Sequence, residues 1–192
     1  MSHFYAYLAK MKFIRRWGLM RNTRPENIQE HSLQVAMIAH GLAIIRNRLF
    51  EGQVDPQRTA VLAMYHDVGE VITGDLPTPI KNFNPKIKNA YKEVEVVAKQ
   101  KLFNMLPAEL QPDYEPLFFW NDDDKAHAKL IKSADKICAY LKCLEELEAG
   151  NQEFSKAEKA IRAEIVALDL PEVSYFMDKF VPSFSLTLDE LN

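Results

Sequence analysis

The chain has 192 residues, 24 Lys plus Arg against 27 Asp plus Glu, and a formal net charge of −3. That length suffices for one ordinary domain with its own core, and the near-neutral balance lacks the basic footprint of a nucleic-acid or anionic-membrane binder. Hydrophobic residues make up 47% and charged residues 27%, a globular composition, and only six glycines argue against a turn-rich β-sandwich or Gly-rich nucleotide loops.

Helical periodicity runs through nearly the whole chain. Phe4, Leu8, Met11, Ile14 and Trp17 recur at spacings of three and four and predict a helix over 4–17. A polar connector containing Pro25 covers 21–27, and a second helix is expected over 28–49. Asp55-Pro56 reads as an N-cap followed by proline at the first helical position. That helix is expected to continue through Met64 and end near Gly69 or Val71. Thr73-Gly74-Asp75-Leu76-Pro77-Thr78-Pro79 is too rich in breakers for a helix and reads as an ordered loop. A long amphipathic helix is expected over 85–105, after which Pro107, Pro112 and Pro116 leave a short helix and turns. Asn121-Asp122-Asp123-Asp124 opens another long helix, 124–149, closed by Gly150-Asn151. Further helices are expected over 153–168 and 172–180, with an irregular tail over 186–192. There is no β-alternation, repeat or linker, so the expectation is a single all-α domain over 1–192.

Cys138 and Cys143 lie five apart in one helical stretch, without accompanying histidines. They read as reduced, buried thiols that suit the cytoplasm. The N-terminal stretch has its apolar part before its basic part, the reverse of a signal peptide. No apolar run reaches the roughly 18 residues of a membrane span.

The most informative dipeptide is His66-Asp67, with His31 upstream near a helix start and Asp135 downstream inside a helix. Two imidazoles and two carboxylates from separate helices suit one divalent cation, with room left for water or substrate. Asp135 falls near Ile131, Cys138 and Ala139, where an acid is costly unless paired or metal-bound. Taken singly, His66 reads as a core histidine and His31 as a helix-start residue; the joint pattern carries the inference. Glu70 follows Asp67 by three residues and is expected on nearly the same helical face, where it can orient or deprotonate a water. Arg16 is a forked donor suited to a phosphate dianion, and taken alone Arg15 and Arg16 read as a solvated basic face and Trp17 as a core anchor. Lys81 reads equally as an anion contact or a surface lysine. Gly69 is expected to loosen the helix end that carries Glu70.

These motifs, with Arg15-Arg16-Trp17, Glu30-His31-Ser32-Leu33-Gln34, Tyr65-His66-Asp67, the Gly-Asp-Leu-Pro-Thr-Pro loop and Lys132-Ser133-Ala134-Asp135, resemble the HD superfamily of metal-dependent phosphohydrolases. More narrowly, they are similar to its bacterial 5′-deoxynucleotidases. The resemblance implies a helical HD-domain bundle and one divalent cation, cobalt, manganese or similar, on His31, His66, Asp67 and Asp135. It implies hydrolysis of deoxyribonucleoside 5′-monophosphates. Asp75 would be the general acid toward the leaving 5′ oxygen, in concert with Glu70. Trp17 would crowd the ribose 2′ position, and Arg16, Trp17, His31, Asp75, Leu76, Pro77, Thr78 and Asp135 would contact substrate. It also implies a homodimer.

Two rivals remain at this point. Another HD phosphohydrolase would act on a triphosphate, cyclic nucleotide or alarmone, but no dense basic loop is present to hold one. A non-enzymatic helical protein would keep the metal as a staple, leaving no use for Glu70 or the Arg-Trp pair. The acidic run at 121–124 reads as a complement to the helix dipole rather than a second metal site. His3, His40 and His127 have no ligand-spaced partners.

Overall fold

In the computed structural model, which describes residues 1–191, the elements follow one another as α1 (Phe4–Leu8), α2 (Ile28–Leu49), α3 (Pro56–Met64), α4 (Glu70–Thr73), α5 (Thr78–Lys81), α6 (Pro85–Phe103), α7 (Gln111–Phe118), α8 (Lys125–Glu148), α9 (Ser155–Val166) and α10 (Pro171–Lys179). Short 3₁₀ turns sit between several of them, including Asp122–Asp124, and Leu188–Leu191 follows the last. Among the described residues there is no β-strand beyond one isolated antiparallel bridge, Arg15 with Asn27. The all-α expectation holds. No helix among them is long and apolar enough to cross a membrane.

Two departures from the helical periodicity matter. The helix expected over 4–17 stops at Leu8 and gives way to a 3₁₀ turn, Met11–Phe13. Ile14 is then extended, and its carbonyl accepts from Ile28 N while Arg16 N donates to Glu26 O. Pairing with a distant segment thus supplies the hydrogen bonds that a continued helix would have supplied. The helix expected to reach Gly69 or Val71 stops at Met64, so His66-Asp67 lies in a turn rather than on a helix. The tail, expected to be irregular, closes its last described residues into a 3₁₀ turn.

The described residues form two compact units. The first comprises Met1–Arg21, Pro25–Leu33 and Met64–Asp123. Its core gathers Phe4, Met11, Ile28, Val68, Val71, Leu102, Phe103, Leu106 and Phe118. Aromatic edges tie it together, with Phe4 against Tyr114 at 5.3 Å and Tyr65 against Phe118 at 5.9 Å between ring centroids. Helix α6 opens on Asn84, whose side chain accepts from Ile87 N, with Pro85 in the first turn. It packs on α4, α5 and α7.

The second unit comprises Asn22–Arg24, Gln34–Ala63 and Asp124–Asn192, with only its residues to 191 described. Helix α8 is its spine, burying Leu130, Ile137, Cys138, Leu141 and Cys143 and packing on α9. The two cysteines are buried and not joined by a disulfide, as expected. His127 bonds Thr59 through its Nδ1 (2.8 Å), and buried Asp124 pairs with Arg58 (2.7 Å). The acidic run at 121–124 thus contains a structural anchor. Glu146 is fully buried on α8 and accepts from Thr23 N, Thr23 Oγ1, Arg24 N, Asn151 Nδ2 and Lys142 Nζ. Burial alone would raise its carboxyl; Lys142 and the Thr23 and Asn151 donors outweigh that and hold it well below its usual value.

Removing Glu146 leaves the Lys142 charge without its counter-ion, with only Arg24 O still accepting from its Nζ, and strands two backbone donors. Glu146→Ala is expected to lower stability by about 3 kcal/mol at neutral pH, read as a shift of the urea midpoint. The folded carboxyl titrates below its ordinary value of 4.5. Its contribution is therefore complete above that value and fades as pH falls further, so the gap between wild type and variant narrows from about pH 5 to about pH 3.

Candidate active site

The site grows from the first turn of α2. Asn27 caps it, its Oδ1 accepting from Gln29 N (3.0 Å) and Glu30 N (3.1 Å), while Asn27 O accepts from His31 N (3.1 Å). His31 is thereby fixed one turn into the helix, with its ring almost wholly buried. After α3 the chain winds through 65–69 in i→i+3 bonds, Tyr65 O to Val68 N and Asp67 O to Glu70 N. Val68 is fully buried and pins this turn to the core. The tighter winding sends His66 and Asp67 toward His31.

His66 Nε2 lies 3.0 Å and His31 Nε2 3.7 Å from Asp67 Oδ2. Ligand atoms of all three residues fall within 4.8 Å of one another. Metal bonds of about 2.0–2.2 Å leave neighbouring ligand atoms about 3–4 Å apart, so these separations fit one cation, and two imidazole nitrogens with a carboxylate oxygen suit a first-row divalent ion. This group lies wholly in the first unit. The fourth expected ligand, Asp135, is half-buried on α8, in the second unit.

The surrounding charges divide the acids. Burial alone would raise the Asp67 carboxyl; the His66 and His31 imidazoles and the Arg16 guanidinium overcome it and hold the group well below the usual carboxylate range. Glu70 goes the other way. It begins α4 rather than sharing a helix face with Asp67, and burial followed by repulsion from Asp67 and Asp75 pushes it up to about 9. Its Oε2 is buried and has no hydrogen-bond partner in the protein. Asp75 is also raised, by burial and by Asp67, against Arg16, Lys81 and a hydrogen bond from Trp17 N–H.

Arg16 and Trp17 lie beyond the helical segments, just after Ile14. One carboxylate oxygen, Glu26 Oε2, accepts from both Arg16 Nε (2.9 Å) and Trp17 Nε1 (3.1 Å). Arg16 Nη1 sits 3.7 Å from Asp67 Oδ2, so the guanidinium bridges Glu26 to the His-Asp group. Trp17 has φ +59°, a left-handed conformation costing a bulky side chain roughly 1–2 kcal/mol. Sequence reasoning missed Glu26, which sat in a connector with no periodicity to single it out.

Asp75, Leu76 and Pro77 are half-buried in the stretch between α4 and α5, and Thr78 opens α5 with an exposed side chain. Helix α6 holds this stretch. Tyr91 OH donates to Gly74 O (3.3 Å), and Lys81 Nζ, 2.7 Å from Glu95 Oε1, lies 4.6 Å from the Tyr91 ring centre. Lys81 thus has a partner on α6 and is no free surface lysine. Lys99 of α6 is held below its usual value by burial, against the pull of Asp67 and Glu95.

A family model described as 5′-deoxynucleotidase YfbR-like matches residues 3–184. The chain belongs to the YfbR-like 5′-deoxynucleotidase family. Within it, a 5′-deoxynucleotidase of Yersinia pestis (strain Pestoides F) is 57% identical over 195 aligned positions, covering 100% of this chain and 98% of the relative. A 5′-deoxynucleotidase of Yersinia pseudotuberculosis serotype O:3 (strain YPIII) matches equally well. Solved structures share the fold at lower identity. An HD-domain phosphohydrolase from Listeria innocua superposes with TM-score 0.83 at 22% identity, covering 95% of this chain and 88% of its own. The HD phosphohydrolase of cyanophage S-2L, described as bound to dA and one catalytic Zn²⁺ ion, superposes with TM-score 0.68 at 19% identity, covering 95% and 98%.

Two glycines flank Glu70 and differ in what they require. Gly69 has ordinary helical angles, and a Cβ there would meet Lys99 Cγ at 3.4 Å, a normal contact. Gly69→Ala is expected to raise stability by about 0.4–1 kcal/mol, because the angles already suit alanine. Gly74 has φ +73° and ψ 164°, a region essentially closed to other residues. Gly74→Ala is expected to cost about 1–3 kcal/mol and to lower activity by shifting the peptide that carries Asp75. Urea midpoints and initial rates of both variants check the contrast.

Proposed function

We propose that this enzyme hydrolyses deoxyribonucleoside 5′-monophosphates to deoxynucleoside and inorganic phosphate, using a divalent cation. The carrying observation is the group of buried His31 with half-buried His66 and Asp67, and the Arg16–Glu26–Trp17 cluster at its edge. Membership of the 5′-deoxynucleotidase family, and the dA and Zn²⁺ of the cyanophage neighbour, support the same reading.

His31, His66 and Asp67 would hold the cation, with Asp135 as fourth ligand on the strength of the H…HD…D motif alone. When bound, the cation supplies a water of lowered pKa and neutralises phosphoryl charge. Asp67 stays ionised to meet it, because the two imidazoles and Arg16 favour its anion. Arg16 offers the phosphate a guanidinium held in one orientation by Glu26. Glu70, whose surroundings favour the protonated acid in the metal-free protein, would orient the water through Oε2 and, once ionised beside the bound cation, accept its proton. Asp75, raised in the same direction, donates to the leaving 5′ oxygen. Trp17 stands against the sugar, where a 2′-hydroxyl would meet a wall and find no partner. Leu76, Pro77 and Thr78 complete the nucleoside side, and His31 and Asp135 border the phosphate.

The native ion is read as cobalt, manganese or a similar first-row ion, since a mixed nitrogen and oxygen set accepts several and availability decides. Residues 1–192 are read as one functional domain, working as a cytoplasmic homodimer. The family resemblance supports the dimer, and the unlinked buried cysteines suit the reducing compartment. Sedimentation of the purified chain tests the oligomer.

Phosphate release should be fast with dAMP, slow with AMP, and abolished by chelation and restored by added cobalt or manganese. Release of pyrophosphate or triphosphate from other nucleotides would favour the alternative HD phosphohydrolase. Glu70→Ala is expected to lower kcat roughly 10²–10⁴-fold while elemental analysis finds the metal content unchanged. His66→Ala should lose the metal itself. Equal turnover of dAMP and AMP, or metal-independent release, would count against the reading.

A further inference from the structure

The Arg-Trp pair is built around a carboxylate that no part of the mechanism above makes touch substrate. Glu26 Oε2 accepts simultaneously from Arg16 Nε at 2.9 Å and Trp17 Nε1 at 3.1 Å. Its backbone carbonyl takes Arg16 N at 3.0 Å, so the two residues are locked through main chain and side chain together. Its second oxygen, Oε1, stands 4.0 Å from His31 Nδ1, on the far side of the imidazole from the nitrogen that faces Asp67. The Glu26 and Arg16 side chains are each only 12% exposed, which strengthens a charge-assisted bond relative to one in water.

Neither donor has a strong preference of its own for this geometry. An arginine outside a helix samples many rotamers, and a tryptophan in the left-handed region is strained unless its surroundings fix it. A single anionic oxygen shared by both donors restrains the two side chains together and, beside the Asp67 contact of Arg16 and the Asp75 contact of the Trp17 N–H, orients the indole relative to the guanidinium. The phosphate and the C2′ edge of a nucleotide are separated by a fixed length of sugar. Discrimination at C2′ therefore depends on how far the indole stands from the guanidinium, and Glu26 sets that distance.

We propose that Glu26 is a positioning residue for sugar specificity: it registers the phosphate-holding Arg16 against the sugar wall of Trp17. The proposal rests on the deoxynucleotidase reading and deepens it. Glu26 touches neither phosphate nor sugar in this scheme, and it acts through the two side chains it holds.

The test has one arm without substrate and one with it. In ¹H–¹⁵N spectra the chain gives two indole signals, from Trp17 and Trp120, and Trp120 Nε1 donates to Leu117 O at 3.0 Å, away from Glu26. Trp17→Phe assigns the signals. In Glu26→Gln and Glu26→Ala the Trp17 indole signal should move while the Trp120 signal stays, and the remaining dispersion should report an intact fold. In the metal-loaded enzyme, Glu26→Ala should lower kcat/KM for dAMP roughly tenfold or more, the factor for losing a charge-assisted hydrogen bond. The dAMP to AMP preference should shrink with it, and Glu26→Gln should fall between. Trp17→Phe removes the indole donor but keeps an aromatic wall, so adding Glu26→Ala to it should change the preference far less than in wild type. An unmoved Trp17 signal overturns the proposal. So does a preference that survives Glu26→Ala, or one that falls equally in both backgrounds. A wild-type enzyme that never discriminates between the two sugars overturns the underlying reading and this proposal together, and that result is visible before any variant is made.

Discussion

Three nitrogen groups from three segments crowd one oxygen, Asp67 Oδ2: His66 Nε2 at 3.0 Å, and His31 Nε2 and Arg16 Nη1 each at 3.7 Å. In a poorly solvated position that arrangement demands compensating charge. The local breaks in the first unit serve it. The segment before Arg16 leaves its helix to pair with the residues before α2. Helix α2 is capped by Asn27 so that His31 falls in its first turns. Helix α3 ends at Met64 and winds tightly through 65–69, with buried Val68 as the pin. Each break trades a few helical hydrogen bonds for tertiary ones, and the convergence of side chains follows.

The same crowding sorts the carboxylates by role. Asp67 faces imidazoles and a guanidinium and is held as an anion. Glu70 and Asp75 face burial and the Asp67 charge, and both are raised. Asp67 and Glu70 are thereby driven to opposite protonation preferences, while Asp75 is shifted in the same direction as Glu70. Lys81 and Arg16 moderate the repulsion without cancelling it, and Lys81 is steadied by Glu95 and the Tyr91 face.

The long elements could be read directly from the chain. Helices α2, α6 and α8 stand within a few residues of the periodic stretches that predicted them, because their buried stripes are long enough for spacing to dominate. The His31, His66 and Asp67 group of the first unit was equally plain, since His and Asp at those separations have few other uses in a core. What escaped was determined by partners distant in sequence. Nothing local to Phe4–Leu8 announces that the helix must stop so that Ile14 can pair with Ile28. Nothing in Tyr65 to Gly69 announces a tightened turn, since each residue there is acceptable in an α-helix. Glu26 was invisible for a related reason: one acid in a polar connector carries no pattern, and its meaning appears only once Arg16 and Trp17 are folded back against it. Tyr91 and Glu95 of α6 were likewise hidden in the charged face of an amphipathic helix.

Trp17 and Gly74 both occupy left-handed backbone, and the contrast between them says what this corner of the fold is for. At Gly74 the conformation is met by a residue with no side chain, so the turn into Asp75 forms with little strain. At Trp17 the same sign of φ is imposed on the bulkiest side chain in the set. It persists because its surroundings over-determine it. The indole is bonded to Glu26, the Trp17 N–H is bonded to the Asp75 carboxyl, and the preceding Arg16 N–H is bonded to the Glu26 carbonyl. A glycine at position 17 would relieve the backbone and remove the ring. The strained tryptophan is therefore better understood as a demand for an aromatic face at one place than as a contribution to stability. Two of its anchors are acids, Glu26 and Asp75, so Trp17, Arg16 and Asp75 are held by one set of hydrogen bonds.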